Sequence, residues 1–159
     1  MSGESPDHPG VHFPPPLLFV VPLGIGWQCN KWLPLALLPE LWRAGQVMAG
    51  WGLIVVAGLL AGWAMVTFAL RRTAIFPNRP ATALVTWGPF RYSRNPMYIA
   101  MSVLYIGVSM LINTAWALFF LPGVWAALYY LVIRREERYL TSAFGAEYDA
   151  YRARVRRWV

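Results

Sequence analysis

From Val47 to Leu70 the chain runs 24 residues without a charge, then stops at Arg71-Arg72. A helix needs about 20 mostly apolar residues to cross the hydrocarbon of a bilayer. Helices and closed barrels are the only structures that satisfy their own backbone polar groups there. This run therefore predicts a spanning helix, and the rest of the chain has to suit a membrane. Composition agrees: charged residues make up 13% and hydrophobic residues 58%, whereas soluble domains carry about 25% charged residues. There is too little polar surface to cover a soluble core, and 159 residues suffice for one domain.

Three further spans follow from the same test. The first, about 13–30, runs from Phe13 and is short. Pro22, Gly24 and Gly26 interrupt it, and Gln28, Asn30 and Lys31 close it. The stretch to Pro39 reads as interfacial, with Trp32 and Trp42 at headgroup level. The third and fourth, about 96–112 and 114–133, are separated only by Asn113 and its neighbours, which predicts a tight helical hairpin. Pro122-Gly123 in the fourth predicts a kink. Such a kink packs against protein or borders a cavity, because broken backbone at membrane depth is tolerated only there. Gly58-Leu-Leu-Ala-Gly62 is either a close-packing surface or the ordinary glycine content of a membrane helix. Met1 to His12 has no Lys or Arg, so it lacks the positive region of a signal peptide, and the first span is expected to stay as an anchor. The expected fold is an all-α membrane protein of one domain, residues 1–159. It has about four transmembrane helices, a cytoplasmic loop over 73–95 and a cytoplasmic amphipathic C-terminal helix over 134–155.

Charge sets the orientation. Arg71, Arg72, Arg79, Arg91 and Arg94 lie in one connecting segment, and Arg134, Arg135, Arg138, Arg152, Arg154, Arg156 and Arg157 in the tail. The positive-inside rule places that side, and both termini, in the cytoplasm. The expected location is a bacterial inner (cytoplasmic) membrane. The net charge of +7 flanks apolar spans, which fits anionic lipid headgroups. No nucleic-acid motif accompanies it, so nucleic acid is not an expected partner. Cys29 is the single cysteine, which excludes an internal disulfide and leaves no second sulfur ligand. It reads as an apolar filler. His8 and His12 read as solvated terminal residues, and no metal is expected.

Two segments carry the chemistry. Asn95-Pro96 reads as a helix start, with Asn as N-cap and Pro in the first helical position. Arg91 and Arg94 stand beside it. A helix N-terminus favours anions, so these arginines either complete an anion site or touch lipid. In the tail, Leu140, Phe144, Tyr148, Tyr151 and Val155 share one helical face. Glu137 lies roughly 20° from the centre of that stripe and Glu136 roughly 80° away. A carboxylate on an apolar face needs a partner. That partner is either Arg134, Arg135 or Arg138, or a cationic ligand. A zwitterionic ligand with a separate cation suits the two segments together.

Both segments resemble a known family. Thr82-Ala-Leu-Val-Thr-Trp-Gly-Pro-Phe-Arg-Tyr-Ser-Arg-Asn-Pro-Met-Tyr98 resembles the signature of the isoprenylcysteine carboxyl methyltransferase and phospholipid methyltransferase superfamily, in bacterial-type form. So does Glu136-Glu137 followed by Phe144-Gly145, Tyr148, Tyr151 and Val155. The resemblance covers roughly Thr73 to Arg157. It implies an S-adenosylmethionine pocket closed by the cytoplasmic loop and tail, with a tunnel for a lipophilic substrate. Carried over, Thr82, Ala83, Leu84 and Val85 line the cofactor, and Phe90 stands where the carboxyl methyltransferases place a cofactor-contacting tyrosine. Asn95-Pro96-Met97-Tyr98 falls on their His-Pro-x-Tyr and carries no imidazole base. Glu136 falls on the cofactor-binding glutamate, although the helical wheel favours Glu137; both are retained. Arg94 is expected to hold the anionic end of the cofactor's methionine moiety. Val132 occupies the position of a substrate-binding arginine, which counts against a prenylcysteine carboxylate.

The expected function is therefore methyl transfer from S-adenosylmethionine to a lipid or small lipophilic acceptor, with membrane lipids as surroundings. Two alternatives remain open: an NAD(P)H-dependent membrane reductase on a similar scaffold, and a non-enzymatic membrane partner protein. Cofactor phosphates would favour more cations than carboxylates, so Glu136-Glu137 weighs against the reductase. A partner protein would leave both motifs without a role.

Overall fold

The computed structural model describes residues 14–70 and 83–159. Phe13, His8, His12, Arg71, Arg72, Arg79 and Thr82 lie outside them. All regular structure among the described residues is helical: α1 (Leu17–Trp32), α2 (Arg43–Leu70), α3 (Pro96–Leu111), α4 (Ala115–Leu128), α5 (Arg134–Phe144) and α6 (Ala146–Arg154). A π-helical turn, Tyr129–Ile133, joins α4 to α5.

Two continuous helical runs, Glu40–Leu70 and Ala115–Phe144, are long and apolar enough to cross a membrane. They contain the second and fourth expected spans. The other two, α1 and α3, have 16 residues each, or about 24 Å at 1.5 Å per residue. That is shorter than a hydrocarbon core of about 30 Å. α1 starts on Pro14-Pro15-Pro16, whose carbonyls accept the N–H groups of Leu17, Leu18 and Phe19, each at 3.0 Å.

α2 packs along α3, and α1 along α4. The tightest point of the first pair is Gly50 against Gly107. A Cβ on Gly107 would lie 2.9 Å from the Gly50 carbonyl oxygen. Gly58 and Gly62 instead have nothing within 4 Å of where a Cβ would stand. The close approach is thus built from a glycine on each helix, and Gly58 and Gly62 take no part in the packing among the described residues.

The end of the bundle away from the arginine-rich segments is held by polar side chains. Asn113 adopts φ 48°, a conformation Asn tolerates better than most residues. Its Oδ1 accepts from Leu37 N at 3.0 Å and from Gln46 Nε2 at 2.9 Å. Arg43 donates to Met110 O at 3.1 Å and Leu111 O at 2.6 Å, satisfying carbonyls that the end of α3 leaves unpaired.

The fourth span stays helical through Pro122, and a π-helical turn follows further on, at Tyr129–Ile133. One expectation changes. The C-terminal helix is not continuous over 134–155. Gly145 takes φ 51° and ψ −124° and divides it into α5 and α6. Glycine has no Cβ to clash there.

Gly107→Leu should lower the thermal unfolding temperature in detergent, at a cost of about 1–3 kcal/mol from overpacking. Gly62→Leu should stay within about 0.5 kcal/mol of the unmodified protein, as an unconstrained surface position does. Equal losses in both variants would contradict this packing.

Candidate functional site

The segment before α3 is short of hydrogen-bond partners of its own and finds them in the C-terminal tail. Pro96 takes the first helical position, as its fixed φ suits. Asn95 stands at the N-cap position, but its side chain makes no cap. Its Nδ2 instead donates to Arg157 O at 2.9 Å. This corrects the expected capping role. Ser93 Oγ donates to the same carbonyl at 3.1 Å, and Arg94 N donates to Arg156 O at 3.0 Å.

These contacts bring Arg94 over the start of α5. Arg94 Nη1 lies 3.1 Å from Glu137 Oε1. Arg157 meets the same carboxylate from the other side, with Nε to Oε1 and Nη2 to Oε2 both at 2.9 Å. The side chains of Arg94 and Glu137 are 13% and 20% exposed, so the cluster is largely shielded from water. The partners of Glu137 thus come from positions distant in sequence, where the helical wheel had pointed to Arg134, Arg135 or Arg138. The Glu137 hydrogen bond raises the Arg157 guanidinium above its ordinary value. Arg94 Nη1 also donates to Tyr148 Oη at 3.4 Å, while Arg94 Nε is buried with no partner among the described residues.

Glu136 points elsewhere. It accepts from Tyr98 Oη at 2.8 Å, and no cation among the described residues forms an ion pair with it. It lies beyond the apolar part of its helix, in the run Arg134-Arg135-Glu136-Glu137-Arg138. Burial pushes its carboxyl up to about 7; the Tyr98 hydrogen bond opposes that and the Glu137 charge adds to it. A shielded carboxylate of this kind is costly unless a cation meets it.

The remaining expected residues form an apolar wall. Val85 and Phe90 are buried with Ala64, and Phe68 and Met97 pack against them. Phe68 and Phe90 meet edge to face at 4.9 Å. Ala83 and Leu84 are partly buried, and Thr82 lies outside the described residues. Tyr151 Oη donates to Phe90 O at 2.7 Å, so α6 fastens this wall to the loop.

Sequence reasoning missed the role of residues 156–158. Besides the Arg157 contacts, Trp158 stacks on Trp125 with ring centres 6.2 Å apart. Trp125 Nε1 donates to Ser102 Oγ at 3.0 Å. The usable signal was Trp158, a large apolar side chain in an arginine-rich tail.

A family model for phospholipid methyltransferases matches residues 45–147, from the start of α2 to the first turn of α6. No curated protein and no solved structure matches the chain.

Glu137→Gln leaves two guanidiniums facing each other without their counterion. It should cost about 1.5–3 kcal/mol of stability, the range for hydrogen bonds to charged groups. Asn95→Ala, which removes one neutral bond to the tail, should cost about 0.5–1.5 kcal/mol. Thermal unfolding in detergent ranks the two, and the reverse order would show that the ion pairs do not hold the tail.

Proposed function

This chain belongs to the phospholipid methyltransferase family, and we propose that it is a membrane enzyme that transfers a methyl group from S-adenosylmethionine to a lipid or small lipophilic acceptor. The observation that carries the cofactor assignment is the division between the two acidic residues. Glu137 is taken by two arginines, while Glu136 is held by Tyr98 and has no cationic partner among the described residues. A cationic ligand relieves the cost of that shielded carboxylate.

The donor set fits a zwitterion that bears a further positive charge. Glu136 suits the ammonium group and the Arg94 guanidinium, whose Nε–H has no partner among the described residues, suits a carboxylate. Val85 and Phe90, with Thr82, Ala83, Leu84 and Met97, supply apolar surface. Asn95 and Tyr98 set the positions of Arg94 and Glu136. When bound, S-adenosylmethionine supplies a methyl group on a sulfonium, with its leaving group already in place. The chain's own contribution is alignment and exclusion of water. Holding two reactants in line is worth about 7–11 kcal/mol of barrier, and a dry site strengthens the electrostatics that hold them.

Val132 is fully buried, so that position offers no guanidinium to an acceptor carboxylate. This favours a lipid or small lipophilic acceptor over a prenylcysteine. The reductase alternative fits the site less well, because the shielded Glu136 carboxylate, held by Tyr98, would stand beside the phosphates of a nicotinamide cofactor.

Detergent-purified protein should bind S-adenosylmethionine and not NADPH in a calorimetric titration; the opposite outcome would overturn the assignment. Glu136→Gln should weaken binding tenfold or more, since a charged hydrogen bond is worth about 1.5–3 kcal/mol. The pH dependence has a definite sign. A carboxyl whose value is raised to about 7 holds a proton below that pH, and the proton competes with a cationic ligand. Affinity should therefore climb as pH rises through about 7 and level off above it. Glu136→Gln should flatten that profile.

We also propose four spans with both termini cytoplasmic, because the arginines gather in the 71–94 segment and the tail. Reporter fusions at Val159 and near Glu40 should then report opposite sides of the membrane, and a shared side would exclude the arrangement.

A further inference from the structure

The tail beyond Arg154 carries an arginine that bonds through both its side chain and its backbone. Its guanidinium forks onto both oxygens of Glu137, at 2.9 Å each, and lies 4.9 Å from the centre of the Tyr129 ring. Its carbonyl accepts from Ser93 Oγ and Asn95 Nδ2. One residue therefore meets the loop before α3, the start of α5 and the π-helical turn. It lies outside the segment that matches the family, which ends at residue 147.

Resting on the cofactor reading above, we propose that Arg157 is a positioning residue for cofactor binding: it neutralises Glu137, so that Glu136 alone presents negative charge to the cationic ligand and Arg94 keeps a donor for the ligand's carboxylate. Adjacent carboxylates in a shielded site oppose each other's ionisation. With Arg157 in place, the charge of Glu137 is shared between two guanidiniums. Without it, Arg94 is the remaining ion-pair partner of Glu137 among the described residues and is drawn fully to it. The fork requires a planar guanidinium, which a lysine does not reproduce. Among the described residues, the charged and titratable groups that meet the acidic pair or its arginine partners are Arg94 from the loop, Tyr98 from α3, Tyr129 from the π-helical turn, Tyr148 from α6 and Arg157 itself.

The backbone contacts of Arg157 survive a side-chain change, so Arg157→Gln isolates the charge. The full chain in detergent is titrated with S-adenosylmethionine across a pH series. Arg157→Gln should bind about tenfold more weakly, because Arg94 is drawn from the ligand's carboxylate to Glu137, and the pH at which binding reaches half its plateau should move upward, because Glu136 now ionises beside a carboxylate balanced by one guanidinium in place of two. Arg157→Lys should restore the pH midpoint and recover only part of the affinity. Glu137→Gln combined with Arg157→Gln should return the midpoint to that of the unmodified protein, since the charge needing neutralisation is gone. A purely structural residue would lower stability without moving the midpoint.

An unchanged affinity and midpoint in Arg157→Gln overturns the proposal, as does a midpoint in the double variant that stays where the single variant put it. If Arg157→Gln fails to fold, Arg157→Lys carries the test, and an affinity equal to that of the unmodified protein overturns the proposal. Failure of both to fold assigns Arg157 to structure and overturns the proposal too. Absence of binding by the unmodified protein overturns the cofactor reading itself, and this inference with it; binding by the unmodified protein separates the two failures.

Discussion

A single carboxylate, Glu137, between the guanidiniums of Arg94 and Arg157 holds three separate parts of the chain in one place. The loop before α3, the start of α5 and the C-terminal tail also make apolar contacts there, Trp158 on Trp125 and Phe90 on Phe68 among them. Hydrophobic packing orders the helices within the apolar layer, but it has no direction and cannot fix a loop at the rim. Ion pairs with fork geometry are directional. Partly shielded from water, they act over a short range and with less screening than exposed pairs. The apolar core of Tyr98, Tyr105, Ala117, Leu121, Val124 and Leu128 packs the helices against one another. The Glu137 cluster then sets how the ends meet.

The two ends of the bundle solve the same problem with different chemistry. Near Asn113, neutral amide bonds and Arg43 satisfy the carbonyls at the end of α3, and the one buried side-chain atom left without a partner there among the described residues is the neutral Gln46 Oε1. At the other end, among the described residues, Arg94 Nε has no partner and the Glu136 carboxylate no cation. Both belong to charged groups, for which burial short of a partner costs more than for a neutral amide, and such groups concentrate at functional sites.

Much of this was legible in the sequence, and what was not has a common cause. The uncharged run before Arg71 shows a span because membrane crossing is a property of one segment alone. Asn95-Pro96 shows a helix start for the same reason. Pairing of Glu137 with Arg157, and of Asn95 with the Arg157 carbonyl, joins residues 20 and 62 positions apart. Helical periodicity says which face a residue occupies and nothing about which distant arginine meets it. The wheel therefore found Glu137 on the inner face but looked for its partner among its neighbours. Gly145 was visible as a letter, but its positive φ depends on how α6 folds back. Gly58 and Gly62 formed a known pattern, whereas the contact that brings α2 and α3 together uses Gly50 and Gly107, which no single-helix pattern pairs.

The π-helical turn connects the membrane part of this protein to its chemistry. In a π-helical turn one extra residue is fitted into the backbone, and everything that follows is rotated relative to the helix before it. Val132 and Ile133, consecutive in sequence, are both 0% exposed; in a surface α-helix, neighbouring residues diverge by about 100° and one of the two ordinarily faces out. The widened turn lets both stay inside and resets the register just before Glu136 and Glu137. It also presents Tyr129 beneath the Arg157 guanidinium. Glu136 faces Tyr98 on α3 while Glu137 faces the loop and tail: neighbours on the α-helix that follows the turn diverge by about 100°, and the register set at the turn decides which partner each one meets.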